Sequence, residues 1–276
     1  MNRTGLYIAL ALAAVVGGIF GFYPELDLKI ARTFVDWGNR PDFTFSLRLH
    51  PAVWWLREIG LWISAIIVAP AIAALVWKMI RPATPMLIPG RAAIFLVMTL
   101  ALGPGLLTNL VLKDYWSRSR PVDVTQFGGA EYFVPWWDPR GDCDKNCSFV
   151  SGDVSGAYWT MAAAAIAPPQ WRALGYAGAL ALGTAMGFLR MIAGGHFLTD
   201  AFFAGFFTFL VIWLCHGLIY RWPSTRTTDR AVERKLENFA RWPQRFWRQA
   251  TGARQAAPKR PPVARKHLKS GRAQRR

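Results

Sequence analysis

The sequence predicts an all-α membrane protein, a bundle of six transmembrane helices with its functional site gathered at one face. Three observations lead there. Hydrophobic residues make up 53 % of the 276-residue chain and charged residues 18 %, against about 25 % charged in soluble domains. The apolar residues sit in blocks rather than amphipathic patterns. Six windows, at 5–23, 59–77, 92–112, 154–171, 173–189 and 201–220, lack Asp, Glu, Lys and Arg. Each approaches the roughly 20 residues a bilayer-spanning helix needs, and a spanning segment must satisfy its backbone internally.

The first window competes with a signal peptide, with Arg3 as its charged leader. Its apolar run is long, however, and ends in Phe20, Phe22 and Tyr23 rather than a small-residue cleavage site, so a retained helix is expected. The fourth window is the weakest, because Pro168 and Pro169 cut it short.

Six spans put both termini on one side. The tail from Arg221 onward carries 17 of the 33 Lys and Arg residues against Asp229, Glu233 and Glu237, and such a tail is expected to stay in the cytoplasm. The connecting loops alone do not argue for this. Arg3, Lys78, Arg81, Arg91 and Arg172 fall inside, and more basic residues fall outside. Three domains follow: a six-span unit over 1–220, a basic amphipathic cytoplasmic segment over 221–250, and a disordered basic tail over 251–276. In the second, Val232, Leu236, Phe239 and Phe246 recur at helical spacing among basic residues, the pattern of a helix lying on anionic lipid headgroups. Pro243 is expected to bend or interrupt it. Nucleic acid is not expected as a partner, since no aromatic follows Trp247.

The loop 113–153 is the longest between spans, and long loops are often functional. Phe127, Tyr132, Phe133, Trp136 and Trp137 make it either an aromatic anchor at the bilayer surface or a lid over which lipid approaches. Cys143 and Cys147 lie in it, on the outer side. They can pair in an oxidising compartment, stay as thiols, or bind zinc, although the loop holds no histidine. Cys215 reads as a core residue. The loop 24–58 offers a short interfacial helix over 26–35 and no evident chemistry. Gly183 and Gly187 read as a helix-packing pair.

Charged residues at span edges are costly and often functional. Here they gather at four span ends that alternation places on one side of the membrane. Lys113, Arg120 and Arg190 supply three cations, and arginine can bind two phosphate oxygens at once. Ser151 and Gly152 stand at a helix start, where free N–H groups favour an anion. His196 and Asp200 lie one helical turn apart, so the carboxylate is expected to accept from one imidazole nitrogen and leave the other as nucleophile. Each piece has a plainer reading as a snorkelling anchor, a cap or a structural pair. In this order they read as phosphate held by cations and attacked by histidine.

Lys113-x6-Arg120-Pro121, Ser151-Gly152 and Arg190-x5-His196-x3-Asp200 together resemble the three-part signature of the type-2 phosphatidic acid phosphatase family, which shares its site with vanadium haloperoxidases. The resemblance implies a phosphatase that needs no metal or other cofactor and forms a phosphohistidine. It makes His196 the nucleophile, Asp200 its orienting group, and Lys113, Arg120, Ser151, Gly152 and Arg190 the phosphate-binding residues. The family's second motif usually reads Pro-Ser-Gly-His, whereas Val150 and Asp153 stand here at its ends. The missing histidine protonates the leaving group, and Asp153 is the candidate to replace it. His50, His216 and His267 are badly placed for that role. Leu189 also stands where the family usually has Ser. Within the family the 120–152 loop looks most like bacterial lipid A phosphatases, implying a lipid phosphate substrate and a plasma-membrane location with the site facing the periplasm. Undecaprenyl pyrophosphate and phosphatidylglycerophosphate are the alternative substrates. A lipid-binding protein that has lost catalysis is the non-enzyme alternative.

Overall fold

The computed structural model describes residues 2–36 and 45–250, with the backbone alone for 243–250. Helix α1 (Arg3–Phe22) is started by Asn2, whose Oδ1 accepts from the Gly5 N–H at 3.0 Å. A short helix α2 (Glu25–Arg32) follows, then α3 (Pro51–Ile80), with His50 as cap and Pro51 at its first position. Helix α4 runs Gly90–Tyr115. The two short helices α5 (Gly152–Tyr158) and α6 (Met161–Ile166) precede α7 (Pro169–Ile192) and α8 (Leu198–Arg221). Helix α9 spans Asp229–Ala250.

Five of these, α1, α3, α4, α7 and α8, are long and apolar enough to cross a membrane. The fourth of the six expected spans takes another form. Residues 152–166 form a broken pair of helices about 22 Å long, shorter than the roughly 30 Å hydrocarbon core. A break at membrane depth is tolerated where protein surrounds it, and this one is surrounded. Val154, Ala157, Trp159, Met161, Ala162, Ala164 and Ala165 are buried among α3, α4, α7 and α8. The window lacks charge because protein covers it.

Polar pairs fasten this central post. Ser155 Oγ lies 2.7 Å from Thr208 Oγ1 and 3.1 Å from Thr108 Oγ1, the Trp159 indole donates to Thr99 Oγ1 at 2.9 Å, and Ser64 Oγ donates to the Gly156 carbonyl at 2.9 Å. Gly183 and Gly187 pack against Tyr158 and Ala201, as a packing pair should. The outer faces of α1 and α3 expose Tyr7, Ile8, Leu12, Trp55, Trp62 and Ile66, an apolar surface suited to lipid.

Helix α4 is wound wider over Ala101–Leu112. Pro104 lacks the N–H that would hold a regular turn, and the Asn109 side chain donates to its carbonyl at 2.7 Å. Wide turns of this kind occur often at functional sites, and this one delivers Lys113.

Helix α9 docks at the opposite end of α3 and α4. Two of its three acids face inward: Asp229 pairs with Arg91 at 2.9 Å, and Glu233 lies 3.6 Å from Lys78 Nζ and accepts from the Met86 N–H at 2.6 Å. Val232 is buried against Gly90. Helix α9 continues past Pro243, so of the expected bend or interruption the second does not occur. Proline removes one backbone donor, and the turns on either side persist. The segment 251–276, expected to be disordered, lies outside the described residues.

Candidate active site

The four span ends do converge. Lys113 ends α4, Asp153 begins α5, Arg190 ends α7, and His196 precedes α8. Arg190 Nε stands 3.4 Å from Asp153 Oδ2. A Cβ added at Gly152 would come within 2.5 Å of Asn109 Oδ1 and 3.4 Å of Lys113 Nζ, so glycine lets the helix start pack on the Asn109 side chain, with the lysine ammonium close by. At Gly195 an added Cβ would meet Arg190 Nη2 at 2.5 Å. The guanidinium therefore lies flat on the loop that carries His196.

His196 is 2 % exposed. Its Nδ1–H donates to the Ser148 carbonyl at 2.7 Å. That bond fixes the tautomer and leaves the Nε2 lone pair for attack. Burial, reinforced by the positive charges of Arg190, Arg120 and Lys113, holds its pKa well below the ordinary histidine value. The ring is therefore neutral at physiological pH, the form a nucleophile needs.

Asp200 acts differently from the sequence expectation. The imidazole nitrogen it was expected to bind is held by the Ser148 carbonyl. Asp200 Oδ2 instead accepts from Ser148 Oγ at 2.5 Å and from the Phe197 N–H at 2.8 Å. Its Oδ1 accepts from Arg118 Nη1 at 2.5 Å. Asp200 is thus linked to His196 through Ser148 and the loop backbone. The carboxylate was turned away by a cation that sequence reading passed over.

That cation, Arg118, is fully buried between two carboxylates. Its Nη2 donates to Asp27 Oδ2 at 2.8 Å, and Phe197 lies under the guanidinium, its ring centroid 4.6 Å away. Burial opposes the charge, yet Asp200 and Asp27 outweigh it and raise the Arg118 pKa. Asp27 also accepts from Thr199 Oγ1 at 2.5 Å and from the Thr199 N–H at 3.2 Å. The 24–58 loop therefore does carry site chemistry, contrary to expectation. Its helix, expected over 26–35, forms at Glu25–Arg32 and delivers Asp27.

The partners of Asp153 bear on its expected role. Arg57 grips its carboxylate with Nε–Oδ2 at 2.7 Å and Nη2–Oδ1 at 3.2 Å. Burial works to raise the Asp153 pKa, but the Arg57 hydrogen bonds and the charges of Arg190, Arg57 and Lys113 prevail and lower it. An ionised carboxylate has no proton to give, so this geometry favours a cation-holding role over the expected acid. Arg57 itself was missed because the apolar window began at 59. Pro51 just after His50 was the available signal, since proline favours a first helical position. It extends α3 and carries Arg57 to the level of the site.

Among the described residues, Ser151 Oγ is buried and has no hydrogen-bond partner. It caps nothing, although it stands at the start of α5. An orphaned hydroxyl next to Gly152 at this helix start is a ready donor for an anionic oxygen. Arg120 is held by the Asn146 carbonyl, which accepts from Nη2 at 2.6 Å. Cys143 and Cys147 form a disulfide in this loop. Of the loop aromatics, Phe127 is buried beside Phe45, Phe133 packs on Phe197, and Trp136 stacks on Phe203 and donates to the Gly17 carbonyl. Tyr132 and Trp137 remain exposed. His216 lies far down α8 against Phe95 and Tyr220.

Fold and site together define a class: a membrane-embedded helical protein whose cationic, histidine-bearing site suits a phosphoryl group. The comparisons give that class its family. The family model described as the PAP2 superfamily matches residues 92–226. A lipid A 4'-phosphatase of Francisella tularensis subsp. novicida is 32 % identical over 80 % of this chain and 98 % of its own length. A lipid A 4'-phosphatase of Rhizobium leguminosarum is 38 % identical over 37 % of this chain and 44 % of its own length. No solved structure matches. The chain belongs to the PAP2 superfamily.

Proposed function

We propose that this protein is a lipid A phosphatase that hydrolyses a phosphomonoester through a phosphohistidine at His196, without a metal ion. The chain is a membrane phosphatase of the PAP2 superfamily with lipid A 4'-phosphatases among its relatives, which supports a lipid phosphate substrate and favours the 4' position. The observation that carries the mechanism is the neutral His196 ring beside Lys113, Arg120 and Arg190.

The phosphoryl group sits among the three cations, with Ser151 Oγ and the Gly152 N–H on its remaining oxygens. Preorganised charge of this kind takes up what develops in the transition state, which is the work a metal would otherwise do. Nε2 attacks phosphorus, the bond to the lipid oxygen breaks, and the departing oxygen takes a proton from water to leave as the alcohol. Water then attacks the phosphohistidine, releasing inorganic phosphate and restoring the ring. Asp153 holds Arg57 and Arg190 at the edge of the site.

The orientation rests on the tail. Helix α9 and the site lie at opposite ends of α3 and α4. With two of its three acids turned inward, α9 leaves Arg230, Arg234, Lys235, Phe239 and Trp242 exposed, a surface for anionic headgroups of the inner leaflet. The site then faces the periplasm.

Phosphate release from lipid A in mixed micelles containing a chelator tests the reading. Wild type should release phosphate and the lipid should lose one phosphate mass, whereas His196→Ala should release none. Equal, slow release by both proteins would refute it.

A further inference from the structure

Lys113 and Arg120 stand on a chain segment that leaves α4 and turns into loop. Something must hold their charged ends, since long cationic side chains lose much rotamer freedom when fixed. One residue touches both. Asn146 Oδ1 accepts from Lys113 Nζ at 3.1 Å, and the Asn146 carbonyl accepts from Arg120 Nη2 at 2.6 Å. Neither cation is used up: an ammonium has three N–H donors and a guanidinium five, so donors remain for phosphate.

Asn146 can present both oxygens because its backbone is left-handed, with φ of 55°, a conformation asparagine tolerates better than most residues. The Cys143–Cys147 disulfide closes the turn around it. The two ends of that turn are tied back to the same segment: the Cys147 N–H donates to the Lys113 carbonyl at 2.9 Å, and the Cys143 N–H to the Ser117 carbonyl at 3.2 Å.

We propose that Asn146, locked in the disulfide-closed turn 143–147, is a positioning residue that sets Lys113 and Arg120 for the phosphoryl group, so that affinity for phosphate depends on the disulfide. The inference rests on the reading of Lys113 and Arg120 as phosphate ligands. On reduction by a dithiol, the disulfide takes up two electrons and two protons to give two thiols, and the reagent becomes its own disulfide. The turn then opens, and both cations lose a fixed partner.

The test uses the full-length protein in detergent micelles with a short-chain lipid phosphomonoester, reading KM, kcat and the inhibition constant for inorganic phosphate. Asn146→Gly keeps the left-handed turn and the carbonyl on Arg120 but removes the Lys113 contact. It should raise KM and the phosphate inhibition constant about three- to tenfold, with kcat changed little. Cys143→Ser/Cys147→Ser should raise both constants further, dithiothreitol should bring wild type to the same values, and the reagent should leave the double variant unchanged. Asn146→Asp should retain the Lys113 contact and stay near wild type in KM. Thermal melting of each variant separates lost positioning from lost folding. Unchanged constants in Asn146→Gly and in the reduced protein would overturn the proposal. His196→Ala is the control for the underlying reading, because an active His196→Ala would remove that reading rather than the role of Asn146.

Discussion

The Asp200 carboxylate and the Arg118 guanidinium meet at 2.5 Å, both fully buried, beneath the loop that carries His196. This pair, extended by Asp27, ties the start of α8 to α2 and to the segment leaving α4. Removing one partner of a buried ion pair costs about 3–5 kcal/mol, because it strands the other charge. Arg118→Ala strands two carboxylates and should lose most of its folded yield or melt well below wild type in detergent. Asp27→Asn keeps the shape and much of the hydrogen bonding and should cost less. An Arg118→Ala protein as stable as wild type would contradict the triad's role.

His196 should titrate low. Its folded pKa lies below the ordinary value of about 6.5 because of burial and three cations. A depressed histidine contributes stability that is present above its unfolded pKa and is lost as pH falls through its folded one. The ring should therefore remain neutral through pH 6.5, and acid should destabilise the protein below that. Nuclear magnetic resonance of labelled histidine, assigned with His196→Ala, reads this directly. Protonation at or above pH 6.5 would count against it.

Asp153→Asn separates the two roles for that residue. If Asp153 holds Arg57 and Arg190, the rate should fall about tenfold while the pH optimum stays in place. A proton donor would give an alkaline limb, and the asparagine variant would lose it. Loss of that limb would restore the acid role.

Arg57→Ala frees Asp153 to pair with Arg190 and Lys113 in competition with phosphate. We expect KM to rise about tenfold. Adding Asp153→Asn should recover part of the loss, since partners in contact couple by about 0.5–3 kcal/mol. Strictly additive losses would show that the pair does not act as a unit.

Ser151→Ala should lower kcat/KM about tenfold without loss of stability. Among the described residues the hydroxyl has no hydrogen-bond partner, so its removal relieves an unsatisfied group. A large fall in melting temperature with unchanged kcat/KM would refute a phosphate contact.

The sequence revealed the site's charged face because Lys113, Arg120, Arg190 and His196 stand at ends of apolar runs, and alternation of spans fixes which ends meet. The break in the fourth window stayed hidden because absence of charge marks burial in protein and burial in lipid alike. Asp27, Arg57 and Arg118 stayed hidden for a related reason. Each is charged and lies outside a span window, so it reads as a solvated loop residue until the structure shows Asp27 and Arg118 buried together and Arg57 paired with Asp153. The Asp200 geometry was hidden as well, since spacing along a helix says nothing of a competitor that arrives from another segment.

The most direct test of the account is mass spectrometry of the protein quenched in alkali during turnover of lipid A, conditions under which a phosphohistidine survives. The account predicts one added phosphate on the peptide containing His196 in wild type and none in His196→Ala. Turnover with no phosphorylated His196, or with phosphate on another residue, would contradict it.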